Sequence, residues 1–400
     1  MPFEGKTVAM IREEFVRRCL SHEKSKSALC REYNISRPTG DKWIKRYLSG
    51  ESLSDRSKAP FHTPQKIDSA VEQMIIEQRL REPALGAVKI QRILSNRGEV
   101  GLPCASTINA VLKRNNLITR EASQAATPYK RFEKEAPNIM WQSDFKGHYR
   151  LRNGERCHPL SIIDDHSRFC LCADAKSNEK LIGTQESFMK VFQEYGLPHI
   201  LLCDNGNPWG NSQTTGYTLF EIWLMDLGIL TVHIRAHHPQ TQGKVEKFNG
   251  SFKRERLSFY TPYDMAEAQS QRMEYRNFYN NERPHHALNL DVPAKCYTAS
   301  MKVFPDKIND WEYDPDIGTS NIRKIKSSGY LTYQDQGYFI GEALAGKTVA
   351  IKPSSVDGFV NLLYRQFKIA RISLRERCVV SRRIYLIEND PRSNNGEVTD

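Results

Sequence analysis

The 400-residue chain predicts a multidomain protein: all-α helix-turn-helix modules at the N-terminus, an α/β domain in the centre and a small β-barrel near the C-terminus. Three observations carry that prediction. Apolar residues recur at helical spacing through the first 118 residues, strand-like and helical runs alternate over 138–295, and short apolar runs punctuated by Gly329, Gly337, Gly346 and Gly358 fill 322–386. Charge follows the same divisions. Residues 1–137 hold 25 Lys/Arg against 16 Asp/Glu, residues 138–295 hold 18 of each, and residues 321–386 hold 12 against 4. Basic ends around a neutral centre suit two regions that grip nucleic acid, flanking a site whose carboxylates do other work. A hydrophobic content of 39% excludes a disordered chain. No apolar run approaches the roughly 18 residues of a membrane span, and Met1 to Leu20 lacks a signal-peptide core. A soluble, cytoplasmic protein is expected, without a membrane partner. Nine scattered cysteines, none in C-x2-C spacing, point to reduced thiols and against a zinc site built on that motif.

Residues 1–50 read as a first helix-turn-helix. Ile11 to Leu20 turns Phe15, Val16 and Cys19 inward, Ser27 to Tyr33 forms a second helix, and Asn34-Ile35 makes the turn. Ser36 caps a third helix that carries Arg37 and Pro38 in its first turn. Trp43, Ile44 and Tyr47 are expected inside, leaving Arg37, Thr39, Lys42 and Arg46 on the side that enters a DNA groove. A three-helix bundle that binds protein is the alternative. Residues 64–118 repeat the unit loosely: Pro64 to Arg79, Ala87 to Arg97, then a helix from Ser106 or Thr107 with Lys113 and Arg114 outward. Gly50 to Thr63 and residues 119–137 read as linkers.

In the 138–295 region, strands are expected over Ile139 to Arg150, Pro159 to Asp164 and Arg168 to Ala173, with an Asn153-Gly154 hairpin. A helix over Glu179 to Tyr195, a strand from His199 to Cys203, a helix over Thr218 to Leu227 and a strand near Leu230 to Ile234 follow. Three antiparallel strands and then alternating helix and strand is the order of a ribonuclease-H-like sheet. Asp144 falls inside the first strand, Asp204 at the end of the fourth, and Glu246 early in a helix after the loop His237 to Gly243. That order lets the aspartates lie side by side with Glu246 facing them. Like charges so placed need cations, and oxygen ligands favour Mg2+, or Mn2+ in its stead, over zinc. Two ions about 3.5–4 Å apart activate an attacking oxygen and stabilise a leaving one at a phosphodiester. Each acid also has an ordinary reading: Asp204 as a turn cap, Glu246 as a solvated helix residue beside Lys247 or Lys253. Asp144, a carboxylate in an apolar strand, needs a partner.

Several stretches resemble a known family. Trp141-Gln142-Ser143-Asp144-Phe145-Lys146-Gly147 is similar to the first-aspartate strand of integrase-core insertion-sequence transposases, the DDE group related to retroviral integrases. Ile163-Asp164-Asp165-His166-Ser167-Arg168 resembles their second strand, and Asp204-Asn205-Gly206-Asn207-Pro208-Trp209-Gly210 their second-aspartate loop. His238 to Asn249 resembles the glutamate helix, and Asn280-Asn281-Glu282-Arg283-Pro284-His285 the segment that closes the core. The resemblance implies Asp144, Asp204 and Glu246 as catalytic metal ligands in strand cleavage and strand transfer. It places Gln240, Gln242, Lys244 and Lys247 near the scissile phosphate, and leaves Asp164 and Asp165 structural. An insertion over Trp209 to Tyr217 lengthens the Asp204–Glu246 spacing beyond that of retroviral integrases, and helix-turn-helix modules stand where those enzymes carry a His/Cys zinc module. The implied partners are double-stranded DNA, both element terminal repeats and target, and further copies of the chain in a synaptic complex, at a prokaryotic nucleoid. A non-catalytic DNA-binding regulator and a hydrolase of RNA–DNA hybrids are the competing readings. The 322–386 region is expected to lie along phosphates, and Asn389 to Asp400 to be disordered.

Overall fold

The computed structural model describes residues 7–56, 67–118, 133–206, 208–210, 216–233, 242–317, 321–382 and 385–386. Gln240, the expected 389–400 tail and most of the two expected linkers lie outside them, as do 211–215 of the expected insertion. The chain divides into two compact units, residues 1–67 and 68–400.

The first unit holds α1 (Val8–Leu20), α2 (Lys26–Glu32) and α3 (Arg37–Leu48). Thr7, Ser25 and Ser36 cap them, each hydroxyl accepting from the backbone N–H three residues on. Phe15, Val16, Leu29, Cys30 and Trp43 form the core, with Ile44 and Tyr47 packed at its margin. Gly40 sits inside α3, where a Cβ would stand 2.9 Å from Cys30 Sγ and 3.0 Å from Phe15. Its missing side chain lets the helix close onto the other two.

The second unit opens with α4 (Ser69–Arg81), α5 (Ala87–Asn96) and α6 (Ala105–Arg114) around Ile75, Ile90, Ile93, Ile108, Val111 and Leu112. The first of these starts at Ser69, because Asp68 caps it through the Ala70 N–H. Next comes a sheet of β1 (Met140–Phe145), β2 (Tyr149–Arg150), β3 (Arg156–Asp164), β4 (Cys170–Lys176), β5 (Ile200–Cys203) and β6 (Leu230–His233). Its order is β2-β3-β1-β5-β6, with β4 also on β3. The β3 pairings are antiparallel, whereas β1–β5 and β5–β6 are parallel. Interposed are α7 (Leu181–Tyr195) and α8 (Leu219–Asp226), followed by α9 (Gly243–Phe252), α10 (Met265–Asn281) and the short α11 (Pro293–Cys296). Gly196 ends α7 at φ +75°, and a Cβ there would meet the carbonyls of Ser300 and Lys302 at 2.8 Å. Only glycine fits both demands.

The C-terminal strands depart from the expected barrel. β7 (Ile322–Lys324), β10 (Thr348–Pro353), β11 (Phe359–Tyr364), β12 (Phe367–Ser373) and β13 (Cys378–Ser381) form an open sheet in the order β13-β12-β11-β10-β7, with β14 (Tyr385–Leu386) also on β12. β8 (Tyr330–Tyr333) and β9 (Gln336–Phe339) make a separate hairpin. Among the described residues no ladder joins β13 to β7, so the sheet stays open. Its apolar face is covered by the central domain. Ile340, Val349, Leu362, Ile369 and Ile372 share one core with Met140, Ile200, Leu202, Ile222 and Met225. Asp226, at the end of α8, receives Lys347 at 2.7 Å, Arg365 at 2.9 Å and the Tyr364 hydroxyl at 2.5 Å, and the Tyr217 hydroxyl donates to the Ile369 carbonyl.

One turn of π-helix, Lys253–Leu257, continues α9 and swings Glu255 inward. Its carboxylate accepts from Arg283 Nε and Nη2, both at 2.7 Å, and from the Tyr275 hydroxyl at 3.1 Å. Burial opposes the charge, yet Arg283, Lys89 and Arg254 hold this carboxyl down at about 2. A depressed carboxyl stabilises the fold fully above its ordinary value of 4.5 and loses that effect as the pH falls through about 2. Both partners are buried, so Arg283→Ala is expected to cost about 3–5 kcal/mol in urea unfolding at neutral pH, and less as acid neutralises Glu255. A loss below about 1 kcal/mol at neutral pH contradicts this assignment.

Candidate active site

The register of the sheet sets two of the three expected acids together. Trp141 pairs with Leu201 and Gln142 with Leu202 in the parallel β1–β5 ladder. Two residues beyond that last pair, on adjacent strand ends, lie Asp144 and Asp204. Asp144 is buried, while Asp204 is half-buried and Glu246, in the first turn of α9, is exposed. Burial pushes the Asp144 carboxyl up to about 6, and the charges of Asp204 and Glu246 add to the shift, against the pull of Lys146 and an Asn249 hydrogen bond. Asp204 and Glu246 therefore both lie near enough for their charges to act on Asp144. As they stand, no group of three or more His, Cys, Asp or Glu among the described residues is arranged to hold a metal ion. Carboxylates of like charge gain nothing by closing on one another unaided.

Glu246 is held to Asp144 by a polar clamp. Gln142 lies on the same face of β1 as Asp144, two residues earlier. Its Oε1 accepts from the N–H groups of Lys244 at 3.2 Å and Val245 at 3.3 Å, so a strand residue caps α9. Its Nε2 donates to Asp165 at 2.8 Å, and Lys244 Nζ pairs with the same carboxylate oxygen. The Gln242 amide donates to the Ser143 carbonyl at 3.0 Å. One turn further along α9, Asn249 donates to Asp144 Oδ2 at 3.2 Å and accepts from the Ser161 hydroxyl at 2.7 Å. Asp165 is wholly buried, which makes these partners obligatory.

Asp204 is held from behind. Its Oδ1 accepts from the Gly206 N–H at 2.9 Å, and its backbone carbonyl faces His233 Nδ1 at 2.8 Å. His233 Nε2 faces Glu221 at 2.9 Å. Both ring nitrogens meet acceptors, so both carry protons. Burial works against that charge, but Cys203 and Glu221 push the imidazole up to about 11. Glu221 in turn forms a capping box with Thr218 at the start of α8.

Comparison with known proteins finds similarity over several stretches of the chain. Integrase core domain models match residues 134–239 and 227–293, and the C-terminal domain of IS481 family transposases matches 320–379. Residues 134–293 are thus similar to integrase core domains, and 320–379 to the C-terminal domain of insertion-sequence transposases. A helix-turn-helix domain matches 11–61 and a homeodomain-like domain 39–112. The "insertion element IS407 uncharacterized 31.7 kDa protein" of Burkholderia multivorans is 27% identical over 40% of this chain and 55% of its own length. The corresponding 39.2 kDa protein of insertion element IS476 from Xanthomonas euvesicatoria is 25% identical over 73% of this chain and 78% of its own. The chain thus spans little over half the length of the first relative. Solved structures with similar folds include the HTLV-2 integrase catalytic core domain in complex with magnesium, at 18% identity and TM-score 0.33 over 41% of this chain and 99% of that one. The simian T-cell lymphotropic virus intasome is another, at 16% identity and TM-score 0.35 over 73% and 96%.

The residues expected to touch DNA differ in their exposure. Gln242 is buried and Lys244 is tied to Asp165, so both serve the clamp described above; Lys247 is exposed on α9. In the first unit Arg37 and Lys42 are exposed and Thr39 is half-buried against the Ser36 hydroxyl. Arg46 turns back to the carbonyls of Ser52 and Ser54 and stacks over Trp43. Motif reading assigned no role to Gln142, Asn249, Glu221 or His233. The available signal was the two-residue period in β1, which puts a polar Gln142 on the Asp144 face of a buried strand. The clamp has a measurable signature. Gln142→Ala is expected to speed hydrogen exchange at the Lys244 and Val245 amides about tenfold, the effect of losing a cap worth roughly 1–2 kcal/mol. Unchanged protection there eliminates Gln142 as the cap.

Proposed function

We propose that this protein is a transposase that binds element terminal repeats through its helix-turn-helix modules and catalyses DNA strand cleavage and strand transfer with Asp144, Asp204 and Glu246. The observation that supports it is the shared field of the three acids, two on adjacent strand ends and the third on a helix capped from the first strand. The donors are all carboxylate oxygens, and an acid that burial, and then its acidic neighbours, push up to about 6 is the environment a divalent cation relieves. Mg2+, or Mn2+ in its place, is the cation of choice for such a set, in one or two copies. Once bound, it supplies Lewis-acid charge at the phosphodiester and at the attacking oxygen.

The protein's own residues do the rest. Asn249 holds Asp144 by one oxygen, Oδ2. Glu221 and His233 fix the main chain at Asp204, so its carboxylate need not reorganise as charge develops. Exposed Lys247, Arg37 and Lys42 are cations for phosphates of double-stranded DNA. Bringing two element ends together requires more than one copy of the chain, hence a homo-oligomeric synaptic complex at the nucleoid. No helix among the described residues is long and apolar enough to cross a membrane.

Purified protein with labelled element ends and Mg2+ is expected to nick and join DNA, and Asp204→Asn to reduce both steps to background. In the same preparations, Mg2+ at about 100 times its Kd is expected to stabilise the wild type by about 2.7 kcal/mol in thermal melts, and Asp204→Asn much less. Equal joining by both proteins refutes the role of Asp204. The Gln142–Asp165 clamp adds a graded test: Asp165→Asn is expected to lower joining by about 10–100-fold while leaving binding to the element ends intact.

A further inference from the structure

The second helix-turn-helix module is fastened to the integrase core through α4, α5 and the residues that end them, while Lys113 and Arg114 of α6 stay exposed. Glu82, closing α4, makes a two-pronged pair with Arg256 at 2.8 and 3.0 Å. Arg256 belongs to the π-turn that continues α9, and its guanidinium also stacks on Tyr275 and Phe278. Arg97, just past α5, reaches Glu282 at 2.9 Å, and Arg92 of α5 reaches Asp291 at 3.1 Å. Lys89 of α5 is half-buried where the charges of Arg283, Glu255, Arg254 and Lys247 act on it. Lys247 neighbours Glu246. Meanwhile Ser106, Ala110, Lys113 and Arg114 of α6 face outward. A duplex can therefore meet α6 while α4 and α5 stay docked, so the docked arrangement is compatible with binding and does not block it.

We propose that the pairs Glu82–Arg256, Arg97–Glu282 and Arg92–Asp291 hold the α4–α6 module at a fixed offset from the acidic site, and so set the position along a bound duplex at which the strand is cut. The inference rests on the transposase reading above. Glu82 and Arg256 are positioning residues: neither faces the reacting atoms, and their effect passes through α9. Holding the reacting phosphate within about an ångström matters because misplacement by that much costs on the order of a hundredfold in rate.

The test uses the full-length protein, Mg2+ and an end-labelled duplex carrying the element's own terminus, with cleavage mapped to the nucleotide. Glu82→Arg and Arg256→Glu are each expected to bind that duplex within about threefold of the wild type, since phosphate and base contacts are untouched. Each is expected to cut at the native position about tenfold less, with products scattered over neighbouring nucleotides. The double exchange, Glu82→Arg with Arg256→Glu, restores the single position. If either single variant fails to fold, the exchange of Arg97 and Glu282 poses the same question at an independent pair. Single variants that cut at the native position and rate overturn the fixed offset, as does an exchange that folds without restoring it. A wild type that binds the duplex and never cuts it overturns the transposase reading, and the offset with it.

Discussion

The site hangs on one side-chain amide. Gln142 projects from β1 into the N-terminus of α9, takes two of its unpaired N–H groups and gives its own N–H to buried Asp165. A helix N-terminus carries four N–H groups without partners inside the helix, and burying them uncapped is costly. Here the cap comes from the strand that also carries Asp144. The joint that satisfies the helix end thus sets the distance between Glu246 and Asp144, 102 residues apart in the chain. Lys244 closes the arrangement by neutralising Asp165 without adding a cation to the acidic side.

Much of the rest follows from holding acids together that repel. Asp144 is anchored through Asn249, and Asp204 through its carbonyl, so neither carboxylate is consumed by its anchor. A salt bridge to either acid would lower its pKa and occupy the oxygens a cation needs. The main-chain hold on Asp204 avoids that conflict. His233 lies behind the acid, with its charge balanced by Glu221 and turned toward a carbonyl. The Glu255–Arg283 pair does a different service on the same helix. It is the point where α9 changes pitch and locks onto the segment after α10, so the helix of Glu246 is fixed at both ends.

The sheet order and the positions of the three acids were legible because each has a local signature. Asn153-Gly154 marks the turn between β2 and β3, Gly196 stops α7, and Asp204 ends an apolar strand before a turn. The clamp was not legible, because it is made of pairings between residues far apart in sequence. Gln142 and Asp165 are 23 residues apart, and Gln142 and Lys244 are 102 apart. Reading motifs as strings put Lys244 and Gln242 toward DNA; in the structure Gln242 is buried on the Ser143 carbonyl and Lys244 pairs with Asp165. The barrel expectation is unconfirmed among the described residues, for a related reason. Short strands with glycine punctuation specify a small sheet, but whether it closes depends on what covers its apolar face. Here the central domain covers it, so closure is not needed to bury Ile340, Val349 and Leu362.

That shared core changes how the basic C-terminal region must be understood. A domain on a loose tether would sample many orientations, and its charge would raise affinity without setting geometry. Sharing an apolar core and the Asp226 ion pairs with α8 removes that freedom. Its cations keep a fixed direction relative to Asp204, because α8 also bears Glu221, the partner of His233 behind that acid. The α4–α6 module is fastened on the Glu246 side through Arg256, and the C-terminal sheet on the Asp204 side through Asp226. The α4–α6 module is thus braced against the turn that continues the helix of Glu246, and the C-terminal sheet against α8, whose Glu221 holds His233 behind Asp204.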